Sequence, residues 1–312
     1  MFKKMNFKTL LLIFGGLLAI VVLMQLVKHS RGERNFKEKL LDVDTAKVSA
    51  IILQPHFEKT ATRLVRNGNR WELTIKNKTY QAEKNMVEEM LRTLTMIKPE
   101  RIVGTEKADW SKYEVTDTSA PVRVKVEQKG KLTADFLVGK FAYSQYKQST
   151  YVRLFGENDV YAIDGFLSMI FNRSANDLRN KTLVSINPQS ITQLSFQYPS
   201  DSSYTISIDN KTWKIKGEKV DSAKVANYIN TLATLSGGDF VDDYIPSGKP
   251  ALSVKIAGKN FNPFEVQAFA ADTVNKYVIL SSLNPESKFS GAKYSLTKRI
   301  FVGPNQFKFL RK

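Results

Sequence analysis

The sequence predicts an α+β architecture in which a single N-terminal transmembrane helix precedes two tandem, duplicated α+β units with mainly antiparallel sheets. Three observations predict it. Leu10 to Val27 is an apolar run of eighteen residues without a charge. Downstream, strand-like and helix-like patterns follow one another in an order that occurs twice. The length, 312 residues, and the hydrophobic content, 42%, suit about two globular units with cores of their own.

Residues 1–9 form a basic leader containing Lys3, Lys4 and Lys8, and residues 10–27 read LLLIFGGLLAIVVLMQLV, with Gln25 as the only strongly polar member. As a helix this run spans roughly 27 Å, close to the hydrocarbon thickness of a bilayer. A cleavable signal has a shorter apolar stretch, about 7–15 residues, and then a small-residue cleavage site. Here the run closes on Gln25, Leu26, Val27, Lys28 and His29, which favours an uncleaved anchor. Two signals for orientation oppose each other. The flank after the run carries Lys28, Arg31, Arg34, Lys37 and Lys39, more positive residues than the leader, and by the positive-inside count this retains the bulk in the cytoplasm. A short basic leader before a first apolar segment is nevertheless the ordinary form of a signal anchor. We therefore expect a single-pass protein of the inner (cytoplasmic) membrane with its bulk periplasmic. Gly15 and Ala19 share a helix face that would admit a second helix closely, with Gln25 free to hydrogen-bond across the contact, so a membrane-protein partner is expected as well as the bilayer itself. Residues 28–42 form a charged juxtamembrane stalk suited to anionic headgroups.

The first α+β unit is expected over 43–185 and the second over 186–312. Val48–Gln54 and Ile191–Gln197 are β-like runs of the same shape. Hairpins follow at Thr62–Ile75 and Tyr204–Lys216, with turns expected at Asn67-Gly68 and Asp209-Asn210, residue types that tolerate positive φ, and with Trp71 and Trp213 opening the second strands. Apolar residues at spacings of three and four then mark one buried helical stripe in each unit, Met86 to Ile97 and Val225 to Leu235, the second capped by Asp221-Ser222. Further strands are expected at Pro121–Val126 and Ala251–Ile256, and at Tyr151–Leu154 and Tyr277–Leu280. Phe166–Phe171 and Leu178–Leu183 read as a second helix and an exit strand of the first unit, with no counterpart of that helix evident in the second.

Composition excludes several chemistries. There is no cysteine, which removes disulfides, thiol nucleophiles, thiolate metal sites and a lipidated N-terminal cysteine. His29 and His56 are the only histidines, and no phosphate-binding or nucleophile-elbow glycine motif occurs. No catalytic residue, metal site or cofactor is therefore expected. The net charge is +17, of which +6 falls within residues 1–40. No zinc finger, RNA-recognition strand or basic helix accompanies it, so nucleic acid is not an expected partner. Trp71 and Trp213 each begin an alternating apolar run and are expected as core anchors of the two sheets rather than sugar-stacking platforms. Arg123 and Lys125, alternating with valines, are expected on a solvated face. Asp42, Asp44 and the pair Asp242-Asp243 lack calcium-loop spacing and suit caps or turns, and His56 sits at a strand end.

Several of these segments resemble a family catalogued as domain of unknown function 4340. They are the hairpin ending in Trp71-Glu-Leu, the helix after it, Trp110-Ser-Lys-Tyr113, Phe136-Leu-Val-Gly139, Tyr151-Val-Arg-Leu, and Asn176-Asp-Leu-Arg-Asn-Lys181. Glu114 stands where that family commonly has glycine. The resemblance implies no catalytic residue. It implies an auxiliary extracytoplasmic role, since members resemble accessories of ABC-type export or gliding-motility systems. The function expected is thus a non-enzymatic, membrane-anchored scaffold or adaptor for an ABC-type or gliding-type membrane complex. Two alternatives stand beside it: a module binding an envelope glycan or other anionic ligand, and a hydrolase whose Ser-Lys or carboxylate arrangement spacing does not reveal. The oligomeric state is left open.

Overall fold

The structure, a computed structural model, describes residues 14–18, 20, 39–144 and 147–309. Residues 14–18 and 20 are helical and exposed, and the rest of the expected anchor at 10–27 lies outside the described residues, as do the leader and residues 28–38 of the stalk. Among the described residues no helix is long and apolar enough to cross a membrane.

The first sheet has nine strands in two runs of the chain. β1 (Val48–Pro55), β2 (Thr62–Asn67), β3 (Arg70–Ile75) and β4 (Lys78–Gln81) precede helix α1 (Lys84–Met96) and β5 (Pro99–Gly104). After the short helix α2 (Trp110–Tyr113) come β6 (Val122–Gln128), β7 (Lys131–Ser144), β8 (Lys147–Leu154), β9 (Val160–Asp164) and helix α3 (Leu167–Phe171). The order across the sheet is β4-β3-β2-β1-β6-β7-β8-β9-β5. The second sheet is built from β10 (Ile191–Gln197), β11 (Tyr204–Asp209), β12 (Thr212–Ile215), β13 (Glu218–Lys219), helix α4 (Ser222–Ala233), β14 (Leu252–Gly258), β15 (Phe264–Ala270), β16 (Tyr277–Ser281), β17 (Asn284–Ser290) and helix α5 (Leu296–Ile300). Its order, β13-β12-β11-β10-β14-β15-β16-β17, repeats the first eight positions. Every strand pairing in both sheets is antiparallel. The class is α+β, with two antiparallel sheets and few helices.

Side-chain alternation explains the pairing. In β6, Val122, Val124 and Val126 are buried, and the register Ile51↔Val126 and Leu53↔Val124 sets them beside the inward residues of β1. The pair β10/β14 repeats this with Leu194↔Ile256 and Phe196↔Val254, and both pairings shift register at their first residues, Val48/Ala50 and Ile191/Gln193. Against the inner face of the first sheet α1 buries Val87, Met90 and Leu94, and against the second α4 buries Val225, Tyr228, Ile229 and Leu232. Each such side chain contributes roughly 1.5–3 kcal/mol of burial. Asp221 caps α4 by accepting from the amides of Ala223 and Lys224, whereas Glu83, at the same point before α1, makes no side-chain cap.

Three expectations need correction. The hairpins close on Asn67↔Arg70 and Asp209↔Thr212, so their two-residue loops are Gly68-Asn69 and Asn210-Lys211, one residue later than expected. The inward pairs Leu64↔Leu73 and Ile206↔Ile215 fix the register, and the turn follows from it. The second sheet does have a counterpart of α3: α5 follows β17 as α3 follows β9, but at five residues it is too short to show a helical period. The segment 178–183 is not a strand; it makes only the isolated bridges Ala82↔Arg179 and Thr182↔Ser236.

Candidate functional site

The connector between the sheets is bonded to both. On one side the amide of Asn180 donates to the Gln81 carbonyl at 2.8 Å, and the amide of Glu83 to that of Leu178 at 2.8 Å. On the other, Leu183 donates to Leu235 at 2.9 Å and Gly237 to Lys181 at 2.7 Å. Asn284 of β17, fully buried, donates through Nδ2 to the carbonyls of Asn180 and Thr182 at 2.9 and 3.2 Å. Gly237 must be glycine here, because a Cβ would stand 2.0 Å from the Phe289 ring.

At the centre of this junction Arg179 is fully buried. Its guanidinium lies 3.7 Å from the ring centre of Tyr80 on β4 and 3.5 Å from that of Phe240 in the second unit. In the guanidinium plane, Nη1 and Nη2 donate to the two carboxylate oxygens of Asp242 at 2.7 and 2.9 Å. An ion buried alone would cost several kcal/mol; here a bidentate carboxylate, the Asn176 amide oxygen at 3.4 Å from Nη1 and two aromatic faces replace most of its water, while Nε is left without a partner among the described residues. Partial burial by itself would raise the Asp242 carboxyl. The hydrogen bonds and charge of Arg179, with smaller contributions from Tyr80 and Lys78, outweigh it and hold the group below the usual carboxylate range. Burial, and then the Asp242 charge, raise the Tyr80 phenol. The arrangement ties a side chain of the connector to the second unit through an ion pair packed between two rings.

Two concavities lie on the second unit. A cavity of 570 Å³ opens beside β13, lined by Tyr204, Ile215, Val220, Pro304 and Phe309 with Lys216 and Lys308 among others. A groove of 490 Å³ runs between α4 and α5, lined by Lys224, Asn227, Thr231, Lys298, Arg299 and Gln306 with Tyr228 and Val302. No carboxylate lines the groove, so three cations and three neutral polar side chains give it the chemistry to take a carboxylate or phosphate. Lys224 also donates to the Lys308 carbonyl at 2.7 Å. Beneath both, the hydroxyls of Tyr198 and Tyr204 donate to the Val302 carbonyl at 2.8 and 2.6 Å, and that of Tyr228 donates to Ile300 at 2.6 Å. Burial pushes all three phenols above the ordinary tyrosine range, so they stay protonated donors that pin the C-terminal segment.

Of the residues singled out from sequence, Gly15 lies in the exposed helical stretch, where a Cβ would meet nothing within 4 Å, and Ala19 and Gln25 lie outside the described residues. Trp213 is buried in the second core. Trp71 is half-buried against the first core, with the Arg66 guanidinium 4.9 Å above its ring. Arg123 is not simply solvated. It forms a bidentate pair with Asp135 at 2.8 and 2.7 Å and lies 3.5 Å over the Phe155 ring. Asp44 does serve a turn, accepting from the Ala46 amide, and His56 is exposed. Asp242 is the partner of a buried arginine rather than a cap. Glu114 takes the left-handed conformation a glycine would favour, φ 54°, so the turn after α2 is kept. Among the described residues no group of three or more His, Asp or Glu side chains is placed to hold a metal ion. Sequence reasoning missed Arg179 as a junction residue although it stands inside the Asn176–Lys181 segment; its mark was an arginine next to Leu178 in a stretch otherwise expected to be extended.

No curated protein and no solved structure matches the chain. A family model described as Domain of unknown function (DUF4340) matches residues 71–252, a stretch that runs from β3 through the junction, with Tyr80, Arg179, Phe240 and Asp242, to the start of β14. That match covers more than half of the 312 residues, and the chain accordingly belongs to the domain of unknown function 4340 family.

Proposed function

We propose that this protein is a non-enzymatic, membrane-anchored scaffold or adaptor that works outside the cytoplasm as an accessory of an ABC-type or gliding-type membrane complex. Residues 10–27 are its anchor in the cytoplasmic membrane, and the two α+β units descend from one duplicated unit. The observation that carries this reading is the Arg179 junction. A buried bidentate ion pair between the units, closed by two aromatic rings, holds two similarly built surfaces at a set spacing. Two similar surfaces held at a fixed spacing suit a macromolecular partner that engages both. The apolar run at 10–27, with Gly15 and Ala19 on one face, supports a partner within the bilayer.

The test is affinity purification of the full-length protein from gently solubilised membranes, alongside a copy with an unrelated anchor and the Arg179→Met variant, followed by mass spectrometry. Transporter subunits recovered in stoichiometric amount, and lost in both controls, agree with the reading; recovery of the protein alone refutes it. Protease added to spheroplasts checks the orientation, since a protected C-terminal bulk would place it in the cytoplasm. The cationic groove between α4 and α5 favours a second reading, a module for an envelope glycan or other anionic ligand. On that reading, binding is salt-sensitive and is abolished by Lys298→Glu with Arg299→Glu.

A further inference from the structure

The turns at one end of the first sheet form a surface of their own. Antiparallel pairing brings the β2–β3 turn, which ends at Arg70, and the β6–β7 turn, Lys129-Gly130 with Lys131 after it, to the same end as the start of β1, because Ala50 pairs with Val65 and Val48 with Gln128. The loop after β8 joins them through the Phe155 amide, which donates to Asp135 on β7. The carboxylates here are largely matched by cations of their own: Asp44 by Lys47 at 2.7 Å, Glu127 by Arg63 at 2.6 Å and Asp135 by Arg123 at 2.7 Å. Arg70, Lys129 and Lys131 are exposed and make no ion pair among the described residues. On the side of this end away from Arg70 stand two exposed apolar side chains, Leu132 beside Lys131 at 56% and Phe155 after β8 at 44%, the latter with the Arg123 guanidinium over one face of its ring.

The chain that follows the apolar run arrives at this same end. Gln128, beside the β6–β7 turn, donates to the Asp42 carbonyl at 3.2 Å and accepts from the Asp44 amide at 2.9 Å, while Lys129 donates to the Lys47 carbonyl at 3.0 Å. Residues 28–38 span at most roughly 38 Å when extended and about 16 Å as a helix. The turn end is therefore tethered close to whatever surface residues 10–27 occupy.

We propose that this end of the first sheet is a membrane-seating surface. Arg70, Lys129 and Lys131 contact the phosphates of anionic lipid headgroups, Leu132 and Phe155 enter the interfacial layer, and the sheet is thereby held upright on the bilayer. Exposed cations, of which Lys129 also acts on the Asp44 carboxylate, outward apolar side chains and the place where the stalk joins the fold converge on one end, which is the composition an anionic lipid surface takes. The inference rests on the reading of residues 10–27 as an anchor. It adds an orientation, with Tyr143, near the far end of β7 and 71% exposed, pointing away from the lipid.

The chain has no cysteine, so single cysteines can be placed at will. Leu132→Cys and Tyr143→Cys, each carrying a spin label in the full-length protein, are reconstituted into vesicles of phosphatidylglycerol with phosphatidylcholine or of phosphatidylcholine alone, and collision with a water-soluble nickel chelate is measured. Position 132 is expected to be shielded relative to 143 in the anionic vesicles only. Shielding is expected to fall with salt and to be lost with Lys129→Glu and Lys131→Glu, since each cation changes partitioning onto anionic lipid about fivefold. Lys129 lies on an exposed turn and Lys131 is exposed at the first position of β7, and an unchanged unfolding midpoint verifies that the Lys129→Glu, Lys131→Glu variant folds. If the protein floats with both vesicle types while position 132 is as open to the chelate as 143, this proposal is overturned and the anchor reading stands. If it floats with neither, the anchor reading falls, and this one with it.

Discussion

Replacing Arg179 by methionine tests the junction most directly. The change keeps an unbranched stem between Tyr80 and Phe240 but removes a guanidinium that is fully buried and makes two charge-assisted hydrogen bonds to Asp242. Hydrogen bonds to charged groups contribute roughly 1.5–3 kcal/mol each, and a stacked, desolvated cation up to about 2 kcal/mol per ring. These terms do not add, because the same substitution relieves the desolvation of the guanidinium. Breaking a buried pair from one side costs about 3–5 kcal/mol, and the lower end applies because the Asp242 side chain retains 29% exposure and can recover water. We expect a loss of about 3 kcal/mol, roughly a hundredfold in the equilibrium that holds the units together. The three tryptophans report it: Trp71 and Trp110 stand in the first unit and Trp213 in the second, so Trp213→Phe isolates the first unit and Trp71→Phe with Trp110→Phe the second. In urea, with the full-length protein in mild detergent, the parent should give superposed transitions and Arg179→Met two separated ones. Adding Asp242→Asn should cost little more than Arg179→Met alone, the mark of a shared interaction. A loss below about 1 kcal/mol with the curves still superposed would show that the pair does not join the units.

Two further outcomes follow from ionisation. The Asp242 carboxyl has a lower pKa folded than unfolded, so its contribution is present above the unfolded value, about 3.9, and is lost as pH falls through the folded one. Superposed transitions at neutral pH should therefore separate under acid, and Asp242→Asn should show them separated already at pH 7. For Tyr198, Tyr204 and Tyr228 the shift is upward and the sign reverses. The unfolded chain releases these protons near pH 10 while the folded one retains them, so stability falls as pH rises past about 10. Absorbance at 295 nm should show these three of the 12 tyrosines ionising only as the second core unfolds, and Tyr228→Phe should cost about 1–3 kcal/mol by orphaning the Ile300 carbonyl.

The strands around each hairpin, the helices α1 and α4 and the Asp221 cap were legible because they are short-range patterns: alternation in β6, spacings of three and four in the helices, a carboxylate one residue before a helix. Helix α5 was not, because five residues carry no period, and its Lys298 and Arg299 hide its kinship with α3. The loops were misplaced by one residue because turn propensity is a weaker force than the burial of Leu64 opposite Leu73. The junction was illegible for a different reason. Arg179 and Asp242 are 63 residues apart, and neither carries a local mark of the other. An arginine enclosed by two rings is recognisable only once β4 and the segment before β14 have been brought together by the sheets. The groove lined by Lys224 and Lys298 was hidden in the same way, since its two sides come from helices at opposite ends of the second unit.

The connector's hydrogen bonds also bear on load. They join it to Gln81 on one side and to Leu235 and Gly237 on the other. A pull applied between the first and second units passes through the connector, so bonds on both of its sides share the load. If a partner draws on the second unit while the first is held at its origin, the joint will pass on the displacement with little stretch, and the protein will behave as a stiff tie rather than a spring.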